Sequence, residues 1–185
     1  MYLIVGLGNP EEEYSKTRHN MGFDVINKLS KNLGIEVNKK KFNSLYGTGT
    51  ILGEKVILLK PQTYMNLSGE AVRDFKNFYK VNSEDVIVIY DDLDIEPGII
   101  KIRKKGGPGT QNGMKSVVNE LQTEEFPRIR VGIGNPEYKN DLLNYILTKI
   151  PDEDYKILET AISNSADAIE EILKNGIDSA MNKFN

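Results

Sequence analysis

The sequence has no cysteine, one histidine and no apolar run approaching membrane-spanning length. Without cysteine there is no disulfide, no thiolate nucleophile and no cysteine-ligated zinc, and nothing demands an oxidising compartment. The opening "MYLIVGLGNP" has an apolar run too short for a signal peptide, with no basic stretch before it. A soluble cytoplasmic protein without a membrane segment is therefore expected. No G-x-S-x-G elbow is present, and no G-K-[ST] follows the glycine-rich stretch "GGPGTQNG". No protein nucleophile and no P-loop stand out.

What is there fits one folded unit. The chain has 185 residues, of which 39% are hydrophobic and 28% charged. That length is enough for a single domain spanning 1–185 with a sizeable core. The formal net charge is −3, which does not advertise nucleic-acid binding. It is unevenly spread. Residues 151–173 hold seven acids and one lysine, a net of −6, so the remainder carries +3. Two basic runs stand out, "KKK" at 39–41 and "KIRKK" at 101–105. Either run alone reads as solvated surface, but such clusters can hold phosphates despite an acidic total.

Patterning predicts an α/β chain with alternating elements. "YLIV" at 2–5 reads as a buried strand ending in a Gly-Leu-Gly-Asn-Pro turn. Phe23, Ile26, Leu29 and Leu33 follow at helical spacing and stop at Gly34. Residues 44–51 and 55–60 read as a hairpin. A second helix begins near Asn66 and carries Ala71, Val72, Phe75, Phe78 and Tyr79. "VIVIY" at 86–90 is apolar without alternation, as in a strand covered on both faces, and stops at Asp91-Asp92. "GIIKIR" (98–103) and "RIRVGIG" (128–134) are further strands, with a helix through Met114, Val117, Val118 and Leu121 between them. A long amphipathic helix runs from Tyr155 to near Gly176, and "DSAMNKF" adds a short helical turn. The expectation is one twisted mixed sheet flanked by helices. "VGLGNPE" (5–11) and "VGIGNPE" (131–137) read as two strands ending in similar turns.

The uncharged polar residues gather at element ends. Asn9 follows the first strand, and His19 and Asn20 precede the first helix. Asn66 and Asn112 open the second and third helices, and Asp91 ends the buried strand. In open α/β sheets, sites form outside the carboxyl ends of strands, where helix N-termini also gather. Each residue has a dull alternative. Taken singly, Asn66 and Asn112 read as helix caps, Asp91 as a turn residue and His19 as a surface imidazole. Jointly they form a hydrolytic set. Imidazole, with an unperturbed pKa of about 6.5, can act as a base near neutral pH. A carboxylate on one ring N–H fixes the tautomer and stabilises the cation, and Asp91 is the candidate. Water is the natural attacker, and asparagine amides can orient it and donate to an oxyanion.

Other motif readings are weaker. "GLGNPE" begins like a dinucleotide fingerprint but has Glu11 at the third glycine position. Asp91, Asp92 and Asp94 could hold Mg²⁺ for a nuclease, yet no matching ligand set is evident elsewhere.

Six motifs occur in order across residues 4–136: "VGLGNP", "Y…TRHNMGF", "KPQTYMNLSG", "DDLD…PG", "GGPGTQNGMKS" and "FPRIRVGIGNP". Together they closely resemble bacterial-type peptidyl-tRNA hydrolases, and the resemblance covers nearly the whole chain. It implies a monomeric, single-domain α/β enzyme that cleaves the ester between a peptide and the 3′-terminal ribose of tRNA, without metal or cofactor. It implies that His19 is the base, that Asp91 supports it, and that Asn66 and Asn112 position substrate. It implies that Asn9 helps distinguish blocked from free aminoacyl-tRNA, and that Tyr14 and Tyr64 line the site for the tRNA end. Lys101, Arg103, Lys104 and Lys105 adjoin the glycine loop and are expected to contact phosphates. Four positions depart from the usual pattern: Gln111 replaces a histidine, Glu11 a glycine, Asn135 an arginine and Tyr64 a phenylalanine. Two alternatives stay open at this point, a non-catalytic RNA-binding module and a metal-dependent nuclease.

Overall fold

The structure is a computed structural model that describes residues 1–137 and 139–185. Its centre is four parallel strands: β1 (Tyr2–Gly6), β4 (Glu54–Pro61), β5 (Val86–Asp92) and β7 (Arg128–Gly132). Antiparallel strands β2 (Lys39–Lys41) and β3 (Ser44–Ile51) extend one edge, and β6 (Ile100–Arg103) extends the other. The resulting order is β2-β3-β4-β1-β5-β7-β6. Six helices complete the described residues: α1 (Met21–Leu33), α2 (Ser68–Tyr79), α3 (Asn112–Leu121), α4 (Leu142–Leu147), α5 (Asp152–Asn175) and α6 (Ile177–Phe184).

Side chains alternate across each strand, so the sheet divides the interior into two cores. Ile4, Ile87, Ile89, Ile129 and Val131 pack with Val25, Ile26 and Leu29 of α1 and with Ala161, Ile162, Ala166 and Ile169 of α5. On the other face, Leu3, Val5, Ile57, Leu59, Val86 and Val88 pack with Val72 and Phe75 of α2 and Met114 and Val117 of α3. The central strands are therefore buried on both sides, which is why "VIVIY" shows no polar alternation.

From β1 the chain runs to the edge strand β2, returns through β3 to β4 beside β1, then crosses to β5 on the other side of β1. The crevice at such a reversal lies outside the carboxyl ends of the strands. Gly22 brings α1 into it. A Cβ at Gly22 would lie 2.3 Å from Leu7 N and 2.5 Å from the Ile89 carbonyl oxygen. Only a residue without a side chain lets the first turn of α1 rest on the ends of β1 and β5. His19, three residues earlier, is thereby set over the strand ends.

The hairpin, the buried strand and the long C-terminal helix appear where the sequence places them. Four features differ. The second helix begins at Ser68, because Met65–Leu67 forms a tight 3₁₀ turn ahead of it. Lys39–Lys41 is an edge strand, and Leu142–Leu147 is a short helix, neither of which patterning showed. The last expected turn is an eight-residue helix, Ile177–Phe184. β1 and β7, with their similar end turns, are the two neighbours of β5, so both turns flank the strand that carries Asp91.

Candidate active site

Asp91 lies at the carboxyl end of β5 and is 4% exposed, while His19, in the 3₁₀ turn Arg18–Asn20, is 8% exposed. His19 Nδ1 is 2.9 Å from Asp91 Oδ2. With the carboxylate ionised, Nδ1 must be the donor, which leaves Nε2 with its lone pair. Burial of the ring is the largest influence on its pKa and lowers it. The charge of Asp91 and the hydrogen bond to it outweigh burial, and the net pKa stands above the ordinary 6.5.

Gln111 completes the carboxylate's environment. Its Nε2 donates to Asp91 Oδ1 at 3.0 Å, and its Oε1 accepts from Met114 N at 2.8 Å. Gln111 is thus the N-cap of α3. This corrects the cap readings of the two asparagines. Asn112 is the first helical residue, and α2 has no side-chain cap. Among the described residues, neither Asn66 nor Asn112 spends its side-chain amide on a protein partner, and both line the cavity beside His19.

Asn9 is fixed from two directions. Its Oδ1 accepts from Met65 N at 2.8 Å, and its backbone N–H and carbonyl pair with the Asn20 side chain at 2.8 and 2.9 Å. The Oδ1 contact orients the amide, so its NH₂ group is the end left to act as a donor into the cavity.

The cavity measures about 650 Å³. It begins at His19, Asp91, Asn9, Tyr64, Asn66 and Asn112 and continues over the face of β6 and β7 that turns away from α5. Arg103 and Arg130 line that extension, and Arg130 Nε donates to Asp92 Oδ2 at 2.8 Å. Arg128 is 1% exposed, and its guanidinium donates to the carbonyls of Gly107, Glu124 and Phe126. It ties the glycine loop to the sheet. Leu142, Leu143, Ile146 and Leu147 of α4 form an apolar wall opposite. Arg18, next to His19, holds that wall by lying 4.0 Å from the Tyr145 ring centre and donating to its carbonyl at 3.3 Å.

Of the residues singled out in the sequence, the cavity brings together His19, Asp91, Asn9, Tyr64, Asn66, Asn112, Arg103 and Lys105. Tyr14, Lys101 and Lys104 lie outside its lining. Tyr14 ends the turn Glu12–Tyr14, and its carbonyl accepts from Thr17 Oγ1 at 2.7 Å. Lys101 stands opposite Arg130 in the β6–β7 ladder. Lys104 pairs with Asp178 of α6 at 2.7 Å. Asp91, Asp92 and Asp94 do not converge. Asp91 serves His19 and Gln111, Asp92 serves Arg130, and Asp92 Oδ1 also accepts from Asp94 N at 2.8 Å. Sequence reasoning gave no role to Asn20, Arg128, Arg130 or α4. Of these, only Asn20 carried a signal, its place beside the single histidine.

The sequence profile described as peptidyl-tRNA hydrolase matches residues 3–185. The chain belongs to the peptidyl-tRNA hydrolase family. A peptidyl-tRNA hydrolase of Caldanaerobacter subterraneus subsp. tengcongensis is 56% identical over 185 residues, the full length of both chains. The peptidyl-tRNA hydrolase of Alkaliphilus metalliredigens is 52% identical over the same span, again with both chains fully covered. The crystal structure of peptidyl-tRNA hydrolase from Acinetobacter baumannii superposes with a TM-score of 0.95 at 37% identity, covering 100% of this chain and 94% of that one. A single peptidyl-tRNA hydrolase fold thus accounts for the chain from β1 to α6.

Proposed function

We propose that the protein hydrolyses the ester joining a peptide, or an N-blocked amino acid, to the 3′-terminal ribose of tRNA. The observation that carries this reading is the 2.9 Å pairing of His19 Nδ1 with Asp91, buried beneath a cavity rich in amide donors. A water at the free Nε2 gives its proton to His19 as its oxygen attacks the ester carbonyl. Asp91 stabilises the imidazolium that forms. The NH₂ groups of Asn9, Asn66 and Asn112 orient the carbonyl and donate to the developing oxyanion. The bond to the ribose oxygen then breaks, and His19 returns the proton to that oxygen. The products are a peptide carboxylate and tRNA with a free hydroxyl. A ribose hydroxyl leaves more readily than an amine, so the scheme needs neither a protein nucleophile nor a metal or cofactor.

In the same reading Arg103 and Lys105 meet phosphates of the acceptor end, and Tyr64 lies beside its terminal nucleotide. Lys101 extends the basic strand face, and Tyr14 and Lys104 are left to the rim. In this reading the protein acts as a monomer in the cytoplasm, where translation supplies the substrate.

The test is release of N-acetylated amino acid from charged tRNA. His19→Ala is expected to lose about 10²–10⁴-fold in kcat, the usual worth of a general base, with circular dichroism and tRNA affinity retained. Turnover equal to the parent's would overturn the reading.

A further inference from the structure

Among the described residues, eight non-glycine residues have positive φ. Most have a local reason. Lys80 and Gln122 are left-handed C-caps of α2 and α3. Phe42 and Asn43 form the two-residue turn between β2 and β3, and Leu52 begins the turn between β3 and β4, where a primed turn requires φ above zero. Lys16, at φ 54°, lies in the turn that leads into Arg18–Asn20. Glu11 and Tyr64 have no such reason. Their φ, ψ values are 81°, 146° and 59°, 161°, a region that glycine alone occupies readily. The two residues touch. The Tyr64 hydroxyl donates to Glu11 Oε1, one step along from the Asn9–Met65 hydrogen bond. Two strained residues on different loops thus meet beside the cavity, which Tyr64 lines and Glu11 does not. The Tyr64 ring, 47% exposed, lines that cavity and stacks on no other aromatic ring among the described residues.

We propose that Glu11 is a positioning residue whose carboxylate holds the Tyr64 ring as a fixed stacking platform for the terminal base of the tRNA acceptor end. The inference rests on the hydrolase reading above and adds a residue to it. Strain kept at a site rim signals that the local geometry serves something other than stability. A lone tyrosine on a loop samples several rotamers, and one whose hydroxyl is anchored presents a single face to an incoming base. Base–aromatic stacking tolerates any base, so the platform contributes affinity rather than sequence preference.

The experiment uses the full-length protein with acetyl-aminoacyl-tRNA and with uncharged tRNA. Glu11→Gly is expected to raise KM about tenfold, the size of one lost base–aromatic stack, with kcat within about twofold. It should also raise the melting temperature, because glycine relieves the backbone at this φ. Glu11→Gln keeps an acceptor for the hydroxyl and should restore KM to within about twofold of the parent, as expected of a conservative hydrogen-bond replacement. Tyr64→Phe should match Glu11→Gly, and the double variant should be no worse than either. Uncharged tRNA lacking its terminal base should bind the parent about tenfold more weakly but Glu11→Gly no more weakly than intact tRNA does. Unchanged KM in Glu11→Gly, additive effects, or a KM rise accompanied by a lower melting temperature would overturn the proposal. The hydrolase reading fails separately, by absence of release from the parent. The arm with uncharged tRNA still tests the platform in that case.

Discussion

Gln111 grips Asp91 from the side that His19 leaves free, with Nε2 donating to Oδ1 at 3.0 Å while His19 Nδ1 meets Oδ2 at 2.9 Å. Both carboxylate oxygens are therefore committed, and the same glutamine caps α3 through Oε1. Gln111→Ala should lower stability by about 1 kcal/mol through the lost cap and lower kcat several-fold as Asp91 gains freedom to turn. Gln111→Glu places a second negative charge beside the pair, which raises the pKa of His19 further. Its rate profile should shift toward higher pH. Urea midpoints and pH–rate profiles read these effects, and a profile unmoved in Gln111→Glu would remove Gln111 from the network.

His19 must be neutral to accept a proton, so the rate should rise with pH through its pKa, which lies above 6.5. Asp91→Asn removes the attraction that raises this pKa and leaves the burial that lowers it. The acid limb should then move to lower pH, while the plateau falls by about 10²–10⁴-fold as support for the base is lost. Stability follows the same linkage. Because folding raises the pKa, the ion pair's contribution is complete below 6.5 and is lost as pH climbs through the folded value. Asp91→Asn should reverse that slope in urea midpoints, because the imidazole, still buried, then titrates below its ordinary value.

Asp24 of α1 is a second titrating group outside the chemistry. Burial pushes its pKa up to about 6, against the lowering effect of the hydrogen bond that Tyr155 donates at 3.0 Å. The folded state therefore favours the protonated acid. Its stabilising effect is complete below the ordinary 3.8 and is lost as pH rises through about 6. Asp24→Asn should flatten stability across that window, a change on the order of 1–3 kcal/mol. Melting temperatures measured between the two values test this. An unaltered slope would contradict it.

Gly22→Ala should destabilise the fold by several kcal/mol, roughly 2–4, because the new methyl meets the backbone at Leu7 and Ile89 rather than a yielding side chain. The helix can accommodate it only by lifting, which carries His19 away from Asp91. Guanidinium unfolding and turnover should fall together. A variant with parental stability would show that α1 does not rest on the sheet as described.

Arg103 and Lys105 line the cavity, whereas Lys104 turns to Asp178. If Arg103 and Lys105 meet phosphates, replacing either with alanine should reduce the slope of log affinity for tRNA against log salt by about 1. Lys104→Ala should leave the slope nearly unchanged. Equal effects at all three positions would mean that the whole basic run acts as a diffuse surface.

The sequence made some of this arrangement legible for a physical reason. Asp91 ends a run of residues buried on both faces, and His19 precedes an amphipathic helix, so both fall where an open sheet gathers its crevice. Cap assignment failed by one residue at Asn112, because Gln111 reaches Met114 N with a longer side chain than the usual caps. α4 escaped notice because six residues, none of them buried, span too few turns to show a period. β2 escaped because three lysines carry no apolar pattern. Arg128 and Arg130 read only as charged residues in a strand. Their turn toward the glycine loop and Asp92 depends on β7 lying between β5 and β6, a pairing that no local pattern encodes.

The acidic outer face of α5 and the arginines of the cavity lie on opposite sides of the same sheet. A charge small in sum is thus arranged as a molecular compass. An approaching polyanion feels a torque before it feels a contact, and it meets the arginine side first. Encounter should therefore weaken with ionic strength more steeply than a net charge of −3 suggests.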